Sequence, residues 1–221
     1  MNTIEQTGKK LSFREELQQQ RWDDHRYYHH SRINQSLHLF SASCFLTCYM
    51  LLFINPGLAV ILGWVVAMWA RQIGHFFFEP KAYDEVNRAT HEHKEKIKIG
   101  YNLQRKRILQ TLWAVLPVML RYNPAFFGLL EAHDSIDGYL ENLSILWIAL
   151  AVGALLFRTV HLFFIANVQT GFVWATKILT DPFNDFKTYI KSPVYLMRGE
   201  LIDPMIHVQH ELEEDEPNPA V

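Results

Sequence analysis

No Asp, Glu, Lys or Arg occurs between Leu37 and Ile54, and none between Asn55 and Ala70. Crossing the hydrocarbon core of a bilayer takes about 20 mostly apolar residues, and a soluble core helix rarely runs that far without a charge. The two runs meet at Asn55-Pro56-Gly57, a tight-turn signal, so the pattern predicts a transmembrane hairpin. Whole-chain averages hide it: 49% hydrophobic and 20% charged residues over 221 positions describe an ordinary globular protein. The average misleads because the charges crowd between the apolar runs.

Extended along the chain, this reading gives an all-α fold, a polytopic membrane helical bundle of about four transmembrane helices with cytoplasmic termini. Residues 1–36 form a polar N-terminal region and 37–79 the first hairpin. Residues 80–107 form a basic loop, 108–179 a second transmembrane pair and 180–221 a polar tail whose acidic end reads as disordered. The third segment, Ile108 to Leu130, is the weakest, being interrupted by Pro117, Arg121 and Pro124. Pro117 is expected to kink it. A reentrant or interfacial third segment is the alternative. The fourth starts near Leu143, passes Arg158 and continues without a formal charge from Thr159 to Thr176.

Orientation follows the Lys and Arg count. Basic residues cluster before Leu37 and at Lys81, Arg88, Lys94, Lys96, Lys98, Arg105, Lys106 and Arg107, whereas the loop after the third segment is acidic. Both termini and the central loop are therefore expected on the cytoplasmic side. A net charge of -2 does not suggest nucleic acid. Cys44 and Cys48 lie one helical turn apart in an apolar run, which reads as packing thiols and not a disulfide framework. The polar N-terminus does not read as a cleaved signal peptide.

Histidine is the unusual residue, with 11 in the chain. His30, Asn34 and His38 are spaced to form one stripe on a helix, and His25 with His29 forms a neighbouring pair. Two imidazoles one turn apart can share a metal ion. An interfacial helix facing lipid headgroups is the plainer reading. Gln72, His75 and Glu79 share a second face, with Arg71 one turn before His75 and Gly74 allowing close approach of another helix. A hairpin returns the two clusters to one depth of the membrane. The central loop adds His91 and His93, of which at most one can face the site on a helix, and the fourth segment adds His161 beside Arg158. His133 falls in the acidic outer loop, and His207 and His210 in the tail. Imidazoles with a carboxylate suit divalent iron with positions open for oxygen and substrate. No phosphate loop, nucleophile elbow or H-E-x-x-H motif is present.

The stretch Tyr28-His29-His30-Ser31-Arg32-Ile33-Asn34-Gln35-Ser36-Leu37-His38 resembles the first motif of the small membrane family of 2-hydroxy-fatty-acid dioxygenases. Gln72-Ile73-Gly74-His75-Phe76-Phe77-Phe78-Glu79 resembles that family's second motif, in the expected order. The resemblance covers about residues 25 to 80. It implies an Fe(II)-dependent enzyme of the endoplasmic reticulum or a bacterial inner membrane that uses molecular oxygen to shorten 2-hydroxy fatty acids by one carbon. It also implies His29, His30, His38 and His75 as metal-site residues, with Glu79 a ligand or one step behind the ligands. Asn34 and Gln72 would orient the ligands. Charge and depth suggest Arg71 or Arg158 as the anchor for a substrate carboxylate. A second copy of the chain is a candidate partner. Two alternatives stay open: a di-iron hydroxylase or desaturase of the histidine-box type, and a non-catalytic membrane scaffold or lipid-binding protein whose basic loop holds anionic lipid.

Overall fold

The computed structural model describes residues 11–79 and 82–205. Among the described residues every regular element is helical, and the β contacts are isolated bridges at Ser31–Ile202 and Asp84–Ala89. The order is α1 (Phe13–Tyr28), α2 (Arg32–Leu51), α3 (Pro56–Ile61), a π-helical segment (Leu62–Ala67) and α4 (Met68–Phe77). These are followed by α5 (His91–Ile97), α6 (Leu103–Tyr122), a 3-10 turn (Phe126–Gly128), α7 (Ile136–Ile165), α8 (Val168–Tyr189) and α9 (Ser192–Met197). Short polar side chains start most of the helices, each accepting a backbone N–H left unpaired in the first turn. Ser12 forms a capping box with Glu15, and Ser31, Asn55, Thr90, Asn102, Ser135 and Asn167 cap the elements that follow them.

The expected chain reversal is present as a helical hairpin, though of its two arms only Pro56–Phe77 is long and apolar enough to span a membrane. α2 turns at Asn55-Pro56, where Asn55 Oδ1 accepts from the Leu58 N–H at 3.0 Å. The chain then returns antiparallel through α3, the π-helical segment and α4. Cys48 packs beside Gly63, and Asn34 beside Gly74. The second approach is the tighter: a Cβ on Gly74 would lie 2.1 Å from Asn34 Oδ1.

Among the described residues, two helices are long and apolar enough to cross a membrane: the continuous helix Pro56–Phe77 and α7. At 1.5 Å per residue, the 30 residues of α7 extend about 45 Å. Ile145, Leu156, Phe157, Val160 and Phe164 stand exposed along it. The other two expected spans fall short of that apolarity. The first half of α2 carries Arg32, Asn34, Gln35 and His38, all buried in the protein. α6 carries Arg105, Lys106, Arg107 and Arg121.

The apolar run expected to continue from Leu143 to Thr176 is two helices. α7 stops at Ile165, Ala166 leaves helical geometry, and Asn167 caps α8. α8 lies against α1 and α2. Along α1, Glu16 accepts from Gln169 at 2.7 Å, Arg21 donates to Thr180 at 2.6 Å, and Lys177 pairs with Asp24 at 2.9 Å and with Asp181 at 3.0 Å. Along α2, the Tyr49 hydroxyl donates to the Leu179 carbonyl at 2.8 Å. Beyond α9 the chain clamps the α1–α2 junction: Arg32 pairs with Asp203 at 2.8 Å, and the Asp203 N–H donates to the His30 carbonyl at 2.7 Å. Part of the region expected as a polar tail is therefore framework. Its acidic end, with His207 and His210, lies outside the described residues.

Pro117 leaves α6 unbroken. It lacks the N–H that would bond the Trp113 carbonyl, and the Trp147 indole N–H donates to that carbonyl instead, at 3.2 Å. Trp64, Trp113 and Trp147 pack there with ring centroids 5.5 to 6.4 Å apart, joining α6 and α7 to the hairpin.

Gly74→Val should destabilise the fold by more than the ~1–3 kcal/mol typical of core overpacking, because the added Cβ meets a buried amide with no room to move. A thermal melt and the metal-binding stoichiometry of the variant test this together, since the same clash separates His38 from His75.

Candidate metal centre

Three imidazoles arrive from three backbone settings. His29 is the residue at which α1 ends, with φ -121° and ψ 41°. His38 sits two turns into α2, and His75 in the last turn of α4. Ring centroids are 4.2 Å apart for His29 and His38, 4.9 Å for His38 and His75, and 5.4 Å for His29 and His75. One ligand nitrogen from each ring lies within 4.8 Å of the others.

The outer nitrogen of each ring faces an acceptor. His29 Nδ1–H donates to the Asp24 carbonyl at 2.9 Å and His75 Nδ1–H to Glu79 Oε2 at 2.8 Å. His38 Nδ1–H faces Asp185 Oδ2 at 3.4 Å. Partners that accept hydrogen bonds fix the tautomer and leave the Nε2 lone pair of each ring facing inward. His29 Nε2 and His38 Nε2 stand 3.2 Å apart, an unfavourable meeting of lone pairs unless a cation lies between them. Two nitrogens held at about 2.1 Å by one ion are about 3.0–3.4 Å apart, for angles from square to tetrahedral. The donor set thus fits a single small divalent cation.

Burial keeps the ligands neutral. Burial pushes the His29 imidazolium well below its usual range, and neighbouring His38 pushes it further. Asp24, whose backbone carbonyl holds His29, is raised by burial, but Lys177, His29 and Lys98 more than reverse this and hold its carboxyl well below the usual range.

The other residues singled out in the sequence are distributed differently. His30 is not on the His38 stripe, because Ser31 caps α2 and leaves His30 outside the helix. Its ring instead bonds the Arg26 carbonyl and lies 3.4 Å from Asp84. His91 starts α5, with a buried Nδ1 that has no partner. His93, in the same turn, lines the cavity described below but is not one of the converging rings. His161 accepts from Arg158 at 2.9 Å, while Arg158 bonds the Ile99 and Gly100 carbonyls. Neither residue of that pair lines the cavity. Arg71 pairs with Asp185 at 2.9 Å and so braces the carboxylate behind His38. Asn34 donates to the Tyr28 carbonyl at 2.9 Å, and its Oδ1 has no partner. Gln72 contacts Met68 Sδ, and its buried Oε1 also has no partner. Glu79 stands behind His75, so the converging set is three imidazoles, with the carboxylates one step out.

Asp185 and Tyr189 were not anticipated. The buried Tyr189 ring lies 5.6 Å from His29, and its hydroxyl bonds His25 at 3.1 Å. Their signal was present: Lys177, Asp181, Asp185 and Tyr189 recur every four residues, a polar stripe on one face of α8.

A cavity of about 560 Å³ opens beside the cluster, within the usual range for a small-molecule site. Along α4 its lining passes from His75 and Gln72 to Met68 and then, in the π-helical segment, to Trp64; Leu155 and Trp174 line it from α7 and α8. The basic loop covers this end. Lys94 is fully buried, with its Nζ 3.3 Å from the Tyr27 carbonyl and 3.4 Å from Asp84, and the Tyr28 hydroxyl donates to the Lys94 carbonyl at 2.7 Å.

The fold and site define an all-helical protein with a largely buried three-imidazole cluster beside a largely apolar cavity. Residues 16–83 match the family model described as 2-hydroxy-palmitic acid dioxygenase Mpo1-like, the family that the paired motifs resemble. That stretch holds all three converging histidines. No curated protein and no solved structure matches the chain.

Asp185→Asn removes the charge that faces His38 and holds Arg71. Loss of such a carboxylate behind a ligand typically weakens metal binding about 10–100-fold. Competition with a chromophoric chelator should show a weakening of that order for Asp185→Asn at unchanged helicity.

Proposed function

We propose that this chain is a membrane-associated Fe(II)-dependent oxygenase that shortens a 2-hydroxy fatty acid by one carbon. The observation that carries the reading is the set of three rings with their outer nitrogens engaged and their inner nitrogens converging beside an apolar cavity, within the stretch that matches the dioxygenase family model. Imidazole suits iron among other divalent metals, and the family's described reaction selects iron from that group. The metal supplies activation of molecular oxygen.

The remaining work belongs to side chains. His29, His38 and His75 hold the ion, and Asp24, Asp185 and Glu79 set their orientation. Met68, Trp64, Leu155 and Trp174 receive the acyl chain and exclude water from the reacting end. The site lies at the end of the apolar helix Pro56–Phe77, so a lipid substrate can arrive from the bilayer without crossing water. The density of basic residues around this end favours the cytoplasmic side.

Purified protein should hold about one iron per chain, lose it in His75→Ala, and convert 2-hydroxyhexadecanoic acid to a product one carbon shorter only when oxygen is supplied. Two irons per chain would favour a histidine-box hydroxylase. Absence of bound metal, with the fold unchanged in His38→Ala plus His75→Ala, would favour a non-catalytic lipid-binding role.

A further inference from the structure

A carboxylic acid entering this cavity needs a cation that is not already engaged. Five Lys and Arg side chains line it: Arg26, Arg71, Lys98, Lys106 and Lys177. Four are committed. Arg26 pairs with Asp23 at 2.7 Å, Arg71 with Asp185 at 2.9 Å, and Lys177 with Asp24 and Asp181. Lys98 pairs with Glu95 at 3.3 Å and lies 3.6 Å above the Tyr28 ring. The Lys106 backbone N–H donates to the Asn102 carbonyl at 3.0 Å, but its ammonium makes no hydrogen bond or ion pair among the described residues. Arg158, the other cation suggested by the sequence, is held by the Ile99 and Gly100 carbonyls outside the lining.

The position of Lys106 is also suitable. It stands in the first turn of α6, where Asn102 caps the helix, lines the same cavity as His75 and Gln72, and is near enough to His75 for its charge to act on that ring. It is close enough to Glu79, the partner of His75, for the two charges to act on each other, and Lys98, Asp24 and Arg71 also bear on it. Withdrawing an ammonium from water without a partner is costly, and a ligand carboxylate removes that cost.

We propose that Lys106 is the residue that binds the carboxylate of the acyl substrate and so sets which end of the chain lies beside the three histidines. The assignment rests on the fatty-acid reading above, and replaces Arg71 and Arg158 in that role. Burial and the neighbouring Lys98 lower the ammonium to about 8, so it remains mostly charged at neutral pH.

The test is anaerobic binding of 2-hydroxyhexadecanoic acid and its methyl ester to the purified full chain, with oxygen excluded so that nothing turns over. A charge-assisted hydrogen bond corresponds to roughly 10-fold or more in affinity. Wild type should prefer the acid by about that factor. Lys106→Gln should lose the preference through weaker acid binding, with ester affinity and iron content unchanged, and Lys106→Arg should keep most of it. Lys106→Met is a second neutral variant should Lys106→Gln fail to fold. The proposal is overturned if wild type binds acid and ester equally, or if a folded neutral variant retains the preference. Iron content and product formation by wild type report on the oxygenase reading separately, so either idea can fail alone.

Discussion

An imidazole can serve a shared cation from a buried position only when its second nitrogen is held by an acceptor, and three such acceptors must be assembled here around one point. Each comes from a different part of the chain: a backbone carbonyl at Asp24, a carboxylate one turn beyond His75, and a carboxylate on α8. The rest of the structure follows from satisfying these three groups. Because the rings are almost fully enclosed, an unheld nitrogen would cost a large part of a desolvated polar group's hydration, about 1–3 kcal/mol each.

That requirement explains why α2 is polar in its first half. Asn34, Gln35, His38 and Ser41 are all inaccessible to solvent, an arrangement that is unfavourable unless neighbouring elements supply partners. Gln35 reaches the His29 carbonyl and Asp203, and also receives Ser192. The segments after α8 thus complete the hydrogen bonding of a helix that begins more than 150 residues earlier. Arg71 belongs to the same logic. Paired with Asp185 at 2.9 Å, it braces the carboxylate that faces His38.

The site and part of the exposed apolar surface are built by the same hairpin. Gly74 lets α4 approach α2 at the level of the histidines, while further along, Trp64 joins the stack of Trp113 and Trp147. α7 contributes little to the buried interior and much to the exposed apolar surface. One end of the molecule is thereby organised around hydrogen bonds and the other around dispersion between apolar side chains.

Composition and spacing alone determined the helical class, the turn at Asn55-Pro56, the need for Gly74 and the meeting of His38 with His75, because each depends on local periodicity or on a single chain reversal. Only the tertiary structure decided that His29 and not His30 joins them. A cap at Ser31 starts a new helix, and the turn before it aims adjacent side chains in different directions. It also decided the roles of Arg71, Asp185 and Tyr189. Which carboxylate neutralises which cation depends on how α8 lies against α1 and α2, a long-range packing choice that leaves only a four-residue rhythm in the sequence.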